Sequence, residues 1–337
     1  MSEKTIPELL QNRVKEHGTK LLYQRRDGWS WKQITWLDFD RKVRNIAAFL
    51  HDLGFGMGDR ALVVSSNRLE AISSELAALH LGGVIVPLSP NEHAERIIDA
   101  ANELQAKLLF IEQGTAADGI LKSLTGMGSI VRVITFPDAV ASNEKVLNFK
   151  AVLKFGLMKR KKLEDELTAI YKKISPDMPA AVFLIPEQGI RPGAEVTEGD
   201  LMGSLEKASG RCPELGAEDQ SFSYMTEASP FAKFVNYLPI YQGSRAAVAE
   251  GRKDFYQDIV EVMPTVLYAT KSGIEELCGK PGSGLNGGKP GRSLRMDLGN
   301  RVRYILTDTL PDKDTEAIIR SAGARLVEVP EFDLLLG

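Results

Sequence analysis

A helical pattern is the first clear feature of the chain, and it runs from Thr35 to Gly54. Its apolar residues recur every three or four positions, and they are Val43, Ile46, Ala47, Leu50 and Leu53. This spacing places them on one face of a helix. Thr35 is suited to cap the amino end of such a helix, and Gly54 is suited to end it. The pattern therefore predicts one helix with a buried face.

Short apolar or β-branched runs bounded by turn residues come next. The runs are ALVVSS from Ala61, GVIVPL from Gly83, KLLFI from Lys107 and IVRVI from Ile130. Helical patterns lie between them, one ending at Gly82 and another starting at Asn91. Because each run fits a strand, strands and helices alternate along this part of the chain. Alternation of this kind predicts a mostly parallel sheet covered by helices.

The strand pattern resumes after a break. Further candidate strands begin at Ala180, Arg245, Thr265, Val302 and Arg325. We therefore expect a second lobe and an α/β fold in which each lobe contains a mostly parallel sheet flanked by helices.

The break is a basic segment within residues 150–175, with the sequence KFGLMKRKKLEDELTAIYKK. Its apolar residues recur at near-helical spacing beside four consecutive cations, Lys159 to Lys162. We interpret it as a solvated linker helix whose lysine stems lie along the surface. The alternative is a peripheral contact of residues 154–173 with a membrane or an acidic partner.

Charge and hydropathy exclude several classes of protein. The 337 residues include 42 lysines and arginines against 45 acidic residues, so no overall field favours nucleic acid. The longest apolar stretch, Leu79 to Leu88, is far shorter than the ~20 residues of a transmembrane helix. The amino terminus, MSEKTIPELL, carries acids and lacks the apolar core of a secretory signal. We expect a cytoplasmic protein without a transmembrane segment.

Neither a metal site nor a catalytic cysteine is predicted. Only two cysteines occur, Cys212 and Cys278, and neither lies in a CxxC pair. The four histidines form no HxxxH or HExxH arrangement. A glycine-rich stretch, residues 279–291, lacks the Walker spacing, because Ser283 stands where the first glycine of that motif belongs. We interpret this stretch as a flexible loop.

Three phrases near the start of the chain carry a family resemblance. They are TIPELLQNRVKEHG, ITWLDFDRKVRNIAAFLHDLGFGMGDRALVVSSNRLEAI and LHLGGVIVPLSPNEHAERIIDAANELQAKLLFIE. Their order and spacing resemble the AMP-forming long-chain acyl-CoA synthetases of the adenylate-forming superfamily. The resemblance implies the large N-terminal domain of these enzymes, with residues 58–220 in one α/β subdomain and residues 1–57 with 221–337 in the other. The family's small C-terminal domain, whose lysine promotes adenylate formation, is expected to be absent.

Function in that family depends on a glycine-rich loop of the form YTSGTTGxPKG, which holds the ATP phosphates. The corresponding stretch here is FLIPEQGIRPG. Its hydroxyl residues are lost, two prolines remove backbone N–H groups, and Pro192 replaces the lysine. Glu187 adds a negative charge, and two such charges ~4 Å apart repel by roughly 4 kcal/mol. The resemblance thus implies a vestigial nucleotide loop, represented by Glu187, Gln188, Gly189, Arg191 and Gly193.

Three later motifs of the family are altered as well. FSYMTEASPFAKF corresponds to the phrase that shapes the acyl site, and Ser229 falls at its aromatic or histidine gate. Thr270 and Lys271 replace a proline–arginine pair. LTDTLPD and VPEFD stand where the resemblance places the SGGAPL loop and the GYGxTE motif, so that Glu331 is left to mimic the magnesium-binding glutamate. No catalytic residue is predicted.

Three functional readings follow from the resemblance. The preferred hypothesis is a pseudoenzyme without a cofactor, which binds or regulates a ligase, an acyl carrier or an acyl ligand in fatty acid metabolism. The alternative is an AMP-forming ligase of altered chemistry, or half of a split ligase completed by a partner, which would use ATP and magnesium. The third is a truncated product without a role, marked by poor stability from unpaired apolar surface.

Overall fold

Two seven-stranded sheets with surrounding helices make up the protein in the computed structural model, which describes residues 3–136, 143–184, 192–225, 229–249, 255–279 and 293–330. The strands are β1 (Leu21–Asp27), β2 (Ser30–Thr35), β3 (Arg60–Val64), β4 (Val84–Leu88), β5 (Leu108–Glu112), β6 (Arg132–Phe136), β7 (Val146–Asn148), β8 (Pro179–Leu184), β9 (Pro192–Thr197), β10 (Gln220–Ser223), β11 (Arg245–Val248), β12 (Val266–Tyr268), β13 (Tyr304–Thr307) and β14 (Arg325–Glu328).

Helices connect most of these strands. They are α1 (Ile6–His17), α2 (Trp36–Asp52), α3 (Leu69–His80), α4 (Ala94–Glu103), α5 (Thr115–Lys122), α6 (Phe149–Tyr171), α7 (Glu198–Gly210), α8 (Pro230–Phe234), α9 (Leu238–Gln242), α10 (Phe255–Val262), α11 (Lys271–Leu277), α12 (Ser293–Asp297) and α13 (Lys313–Ser321).

Both sheets are mostly parallel. The first has the strand order β7-β6-β5-β3-β4-β8-β9, and the second has the order β14-β13-β12-β10-β11-β1-β2. Among the described strand pairs, β1 with β2 and β8 with β9 are antiparallel. The predicted fold, two lobes that each contain a mostly parallel sheet flanked by helices, is confirmed.

Alternate residues of the first sheet enter two different cores. Leu62 and Val64 of β3 pack with the apolar residues of α4 and α5. Ala61 and Val63 join a larger core that includes α2 and α3 and continues into the second sheet. Because side chains alternate between the two faces of a strand and both faces are covered, residues 61–64 of β3 are all buried. This explains why that stretch has a continuous apolar sequence.

A β-hairpin that the sequence pattern did not predict precedes α2. Strands β1 and β2 pair with each other, and Gly28 in the turn has a φ of 60°. Tyr23 of β1 is also the parallel partner of Ala246 in β11. The hairpin therefore completes the sheet that the last third of the chain forms. The residue limits of the two subdomains stay a prediction.

Helix α2 begins and ends where its sequence pattern predicted. The Thr35 hydroxyl accepts a hydrogen bond from the Asp38 amide at 3.1 Å, which is the predicted N-cap. Gly54 follows the last turn with a φ of 80°, a conformation that favours glycine. The helix contacts the β1–β2 hairpin and packs along α3 and α6. Its buried apolar residues belong to the core that contains residues of both sheets.

The predicted basic segment forms helix α6, and most of its lysines lie at the surface. It packs along α2, and Gly156 lies so near the α2 backbone that a Cβ there would be 1.8 Å from the Asn45 carbonyl oxygen. After α6 the chain returns to the first sheet, where β8 pairs with β4. The candidate strand at Ala180 thus belongs to the first lobe, and α6 is a crossover connection within it.

Candidate functional site

The predicted nucleotide loop connects β8 to β9 at the carboxyl end of β8. These strands form an antiparallel hairpin in which Leu184 is the partner of Pro192. Residues 185–191 lie outside the described residues, and with them Glu187, Gln188, Gly189 and Arg191. Gly193 lies within β9. Because ligands of open α/β sheets bind at the carboxyl ends of parallel strands, the loop is placed at a usual ligand position.

The aromatic residue that starts the loop segment is buried in a contact with the second lobe. Phe183 is 2% exposed, and its ring meets the Phe234 ring edge-on with centroids 5.4 Å apart. A phenylalanine here contributes apolar packing and no hydroxyl. The position that the family resemblance assigns to a tyrosine therefore serves in this protein as a contact between β8 and α8.

Ser229, the residue at the predicted gate of the acyl site, is a helix cap. Its hydroxyl accepts a hydrogen bond from the Ala232 amide at 3.1 Å, and Pro230 occupies the first position of α8. Serine at this position satisfies an amide that the helix leaves without a partner. The hydroxyl is thus engaged in starting α8, and the side chain is too short to act as an aromatic gate.

A buried ion pair lies beside this helix, and the sequence analysis missed it. The Lys233 ammonium of α8 donates to the Glu75 carboxylate of α3, and the Tyr237 hydroxyl donates to the other carboxylate oxygen at 3.4 Å. Lys233 is 1% exposed and Glu75 is fully buried. Burial raises the pKa of Glu75, while the neighbouring Lys233 and Tyr237 oppose that rise. The sequence did contain a signal for this pair, because Glu75 and Lys233 each lie in a mostly apolar helical sequence.

An amide cluster next to the ion pair joins the two sheets. The Asn67 side-chain amide, between β3 and α3, donates to the Ser223 carbonyl at 2.8 Å and to the Ser223 hydroxyl at 3.1 Å. The Asn236 amide donates to the Asn67 side-chain oxygen at 3.3 Å. All three residues are buried. Because buried polar groups must be paired, this cluster fixes the first sheet against the carboxyl end of β10.

Thr270 and Asp308 lie at two of the altered motifs, and both side chains accept hydrogen bonds from backbone amides. Thr270 caps α11 by accepting the Gly273 amide at 3.3 Å. One Asp308 carboxylate oxygen accepts the Lys271 amide and the Thr309 amide, each at 2.8 Å. These bonds hold the loop after β13 against the start of α11, so this oxygen has no free capacity for a ligand donor. Glu331 lies outside the described residues, as do residues 280–292 of the glycine-rich stretch.

The part of the chain that the structure describes contains no group of three or more His, Cys, Asp or Glu side chains placed to hold a metal ion. Its helices also include none that is both long and apolar enough to cross a bilayer. ATP with magnesium is the group that the family resemblance implies. Among the described positions of the predicted loop, Pro192 offers the phosphates neither an amide hydrogen nor an ammonium.

A family model and several known sequences match part of this chain. A family model described as "AMP-binding enzyme" matches residues 10–183. Fatty acyl-CoA synthetase A of Dictyostelium discoideum is 25% identical over 241 residues, which cover 70% of this chain and 36% of that protein. Naringenin synthase of Pestalotiopsis fici is 38% identical over 91 residues, which cover 27% of this chain and 3% of that protein. This chain therefore spans only a minor part of these relatives.

Solved structures match nearly the whole chain. The inhibitor-bound N-terminal domain of FACL13 from Mycobacterium tuberculosis has a TM-score of 0.76 and 12% identity, covering 97% of this chain and 75% of that one. Acetoacetyl-CoA synthetase from Streptomyces lividans has a TM-score of 0.76 and 17% identity, covering 96% of this chain and 50% of that one. At such low identity these likenesses establish the fold alone.

Proposed function

Since this chain belongs to the AMP-binding enzyme family, we propose that it is a non-catalytic member of that family, which uses the two-lobed scaffold as a binding or regulatory protein. Its partner would be a ligase, an acyl carrier or an acyl ligand. The site of action would be the cytoplasm. The scaffold itself is complete enough to bury a continuous core from the first sheet to the second.

The sequence of the loop between β8 and β9 carries this proposal. FLIPEQGIRPG stands where the family's ATP-binding loop reads YTSGTTGxPKG. Glu187 alone would weaken phosphate binding by on the order of a thousandfold, because roughly 4 kcal/mol of repulsion corresponds to that factor. The lost hydroxyl and amide donors add to the deficit, since one well-placed donor is worth about 3 kcal/mol. Arg191 supplies one cation in place of the lysine and does not replace those donors.

Two described positions support the same proposal. Ser229 caps α8 where the family resemblance places a gate for the acyl site. Asp308 binds the backbone of α11 where the resemblance places a ligand loop. Each of these side chains binds a backbone amide. At positions that the resemblance assigns to the functional motifs of the family, these two residues therefore stabilise the fold.

The test is titration calorimetry of the purified protein with ATP and magnesium, at concentrations able to detect millimolar affinity. We expect no binding heat. The matched control restores the family loop with the substitutions Leu184→Thr, Ile185→Ser, Pro186→Gly, Glu187→Thr, Gln188→Thr, Arg191→Pro and Pro192→Lys. Binding by this variant alone would show that the loop sequence causes the loss. Stoichiometric binding of ATP by the unchanged protein would refute the proposal.

A ligase of altered chemistry, or half of a split ligase, is the second candidate. One observation favours it: the inhibitor-bound structure of FACL13 is that of an N-terminal domain, and it matches 97% of this chain. An N-terminal domain of this fold can therefore hold an inhibitor, and this chain covers 75% of that domain. Under this alternative, ATP binding requiring magnesium would appear when a partner supplies the C-terminal domain. Calorimetry repeated with a separately produced C-terminal domain of a related ligase distinguishes the two candidates.

A further inference from the structure

One face of α6 exposes apolar and basic side chains together. Leu157 is 58% exposed and Met158 is 72% exposed, the highest values for apolar side chains on this helix. Lys154, Lys161 and Lys162 are exposed as well. Because residues three or four apart share a side of a helix, these five form one strip, which we call the basic face of α6. Leu157 and Met158 are adjacent, and an apolar patch rimmed by polar residues is typical of an interaction site.

The opposite side of α6 fixes the direction of this face. Gly156 lies against the Asn45 backbone of α2, and Val152 and Leu167 are buried. Phe155, at the edge of the packed side, stacks on Phe49 with ring centroids 6.2 Å apart. The helix therefore cannot rotate to bury Leu157 and Met158 without losing its contact with α2.

The charges along α6 are divided between its two halves. Residues 149–163 include six basic residues and no acidic one, and the acidic residues begin at Glu164. Lys159 contacts Asp52 of α2, whereas Lys154, Lys161 and Lys162 have no ion pair among the described residues. Two acids of the second half face α2, since Glu164 contacts Arg44 and Glu166 contacts His51. The basic face is thus a local cationic patch on a chain with net charge −3.

We propose that the basic face of α6 docks on an anionic phospholipid surface. In this arrangement the helix lies in the plane of the membrane surface, Leu157 and Met158 enter the region between headgroups, and the three lysines contact phosphate and carboxylate groups. A flat helix with apolar side chains between lysines suits such an interface. The lysine charges complement the negative potential of anionic lipids. This inference rests on α6 alone and does not depend on the proposed loss of catalysis.

The test is co-sedimentation of the full chain with vesicles of phosphatidylcholine, with and without phosphatidylserine. We expect binding to the anionic vesicles only, and loss of that binding at high salt. The variant Lys161→Gln/Lys162→Gln should weaken binding by on the order of 25-fold, since each lysine near an anionic surface contributes about fivefold. Leu157→Gln/Met158→Gln should weaken it while leaving the salt dependence of the remaining binding unchanged.

The matched control is Lys122→Gln/Lys313→Gln, which removes two charges from exposed positions on α5 and α13. Helix α5 packs on the opposite face of the first sheet from α6, and α13 follows β13 of the second sheet, so neither lysine belongs to the basic face and binding should be unchanged. Equal losses in the two lysine variants would overturn the proposal, because general electrostatic attraction would then explain the binding. Absence of vesicle binding would also overturn the proposal. An acidic protein would then be the better candidate to bind the basic face of α6. Far-UV circular dichroism shows that each variant is folded.

Discussion

Replacing Gly156 with alanine should destabilise the protein, because α6 crosses α2 at that residue. A Cβ at Gly156 would lie 1.8 Å from the Asn45 carbonyl oxygen and 2.6 Å from the Asn45 carbonyl carbon. Real contacts of this kind are above about 3 Å, so the two backbones must separate by roughly 1.2 Å. The added atom meets backbone rather than a flexible side chain, and no rotamer change can relieve the contact.

The expected size follows from two opposing effects. Overpacking a well-packed core costs about 1–3 kcal/mol, and a clash between backbones belongs at the upper end of that range. Alanine in place of glycine inside a helix stabilises the helix by about 1 kcal/mol. We therefore expect the free energy of unfolding to fall by about 2 kcal/mol. With a slope of about 3 kcal/mol per molar urea, the unfolding midpoint falls by roughly 0.7 M.

Gly203→Ala is the matched control. This glycine also lies inside a helix, α7, and an added Cβ there would find no atom within 4 Å. The helix propensity of alanine then acts alone, and the midpoint should rise by roughly 0.3 M urea. Urea unfolding followed by circular dichroism measures both variants. A Gly156→Ala protein that is as stable as Gly203→Ala would refute the close crossing of α2 and α6.

The remaining predictions concern buried charges. Lys233→Met should lower the free energy of unfolding by about 3–5 kcal/mol, because it leaves Glu75 buried without a counter-charge. The double variant Glu75→Leu/Lys233→Met should lose less, and equal losses in urea unfolding would contradict the ion pair. Glu198 is fully buried beneath the Ile6 amide, and burial raises its pKa from 4.5 to about 7. The protonated form is thus favoured in the folded state, so its contribution to stability is complete below about pH 4.5 and is lost as the pH rises through 7. Glu198→Gln keeps an acceptor for Ile6 and should gain up to about 3 kcal/mol over the unchanged protein between pH 5 and pH 8. A difference that does not change with pH in that range would contradict the raised pKa.

Local patterns in the sequence were sufficient for much of the fold. The strand at Ala61 and the helix that follows Thr35 were predicted because period and capping are properties of neighbouring residues. The β1–β2 hairpin was missed because its run LLYQRRDGWSWKQIT has charged residues where a buried strand has apolar ones. Its position at the edge of the second sheet, where one side has no strand partner, explains that composition.

The sequence also predicts an altered loop at the candidate site, since a missing hydroxyl or an added proline is visible without coordinates. It could not identify the groups around that loop. Glu75 and Lys233 are 158 residues apart, and Asn67 and Ser223 are 156 apart, so nothing in either local pattern specifies the partner.

The sequence by itself therefore predicted many of the segments that become strands and helices, and it predicts which residues of the family loop are changed. The tertiary structure decided where those segments lie. It placed β8 beside β4, made α6 a packed crossover, and left Leu157 and Met158 on the outside. The physical reason is range: periodicity acts over one or two turns, whereas strand pairing and the approach of two helices depend on residues far apart in the chain.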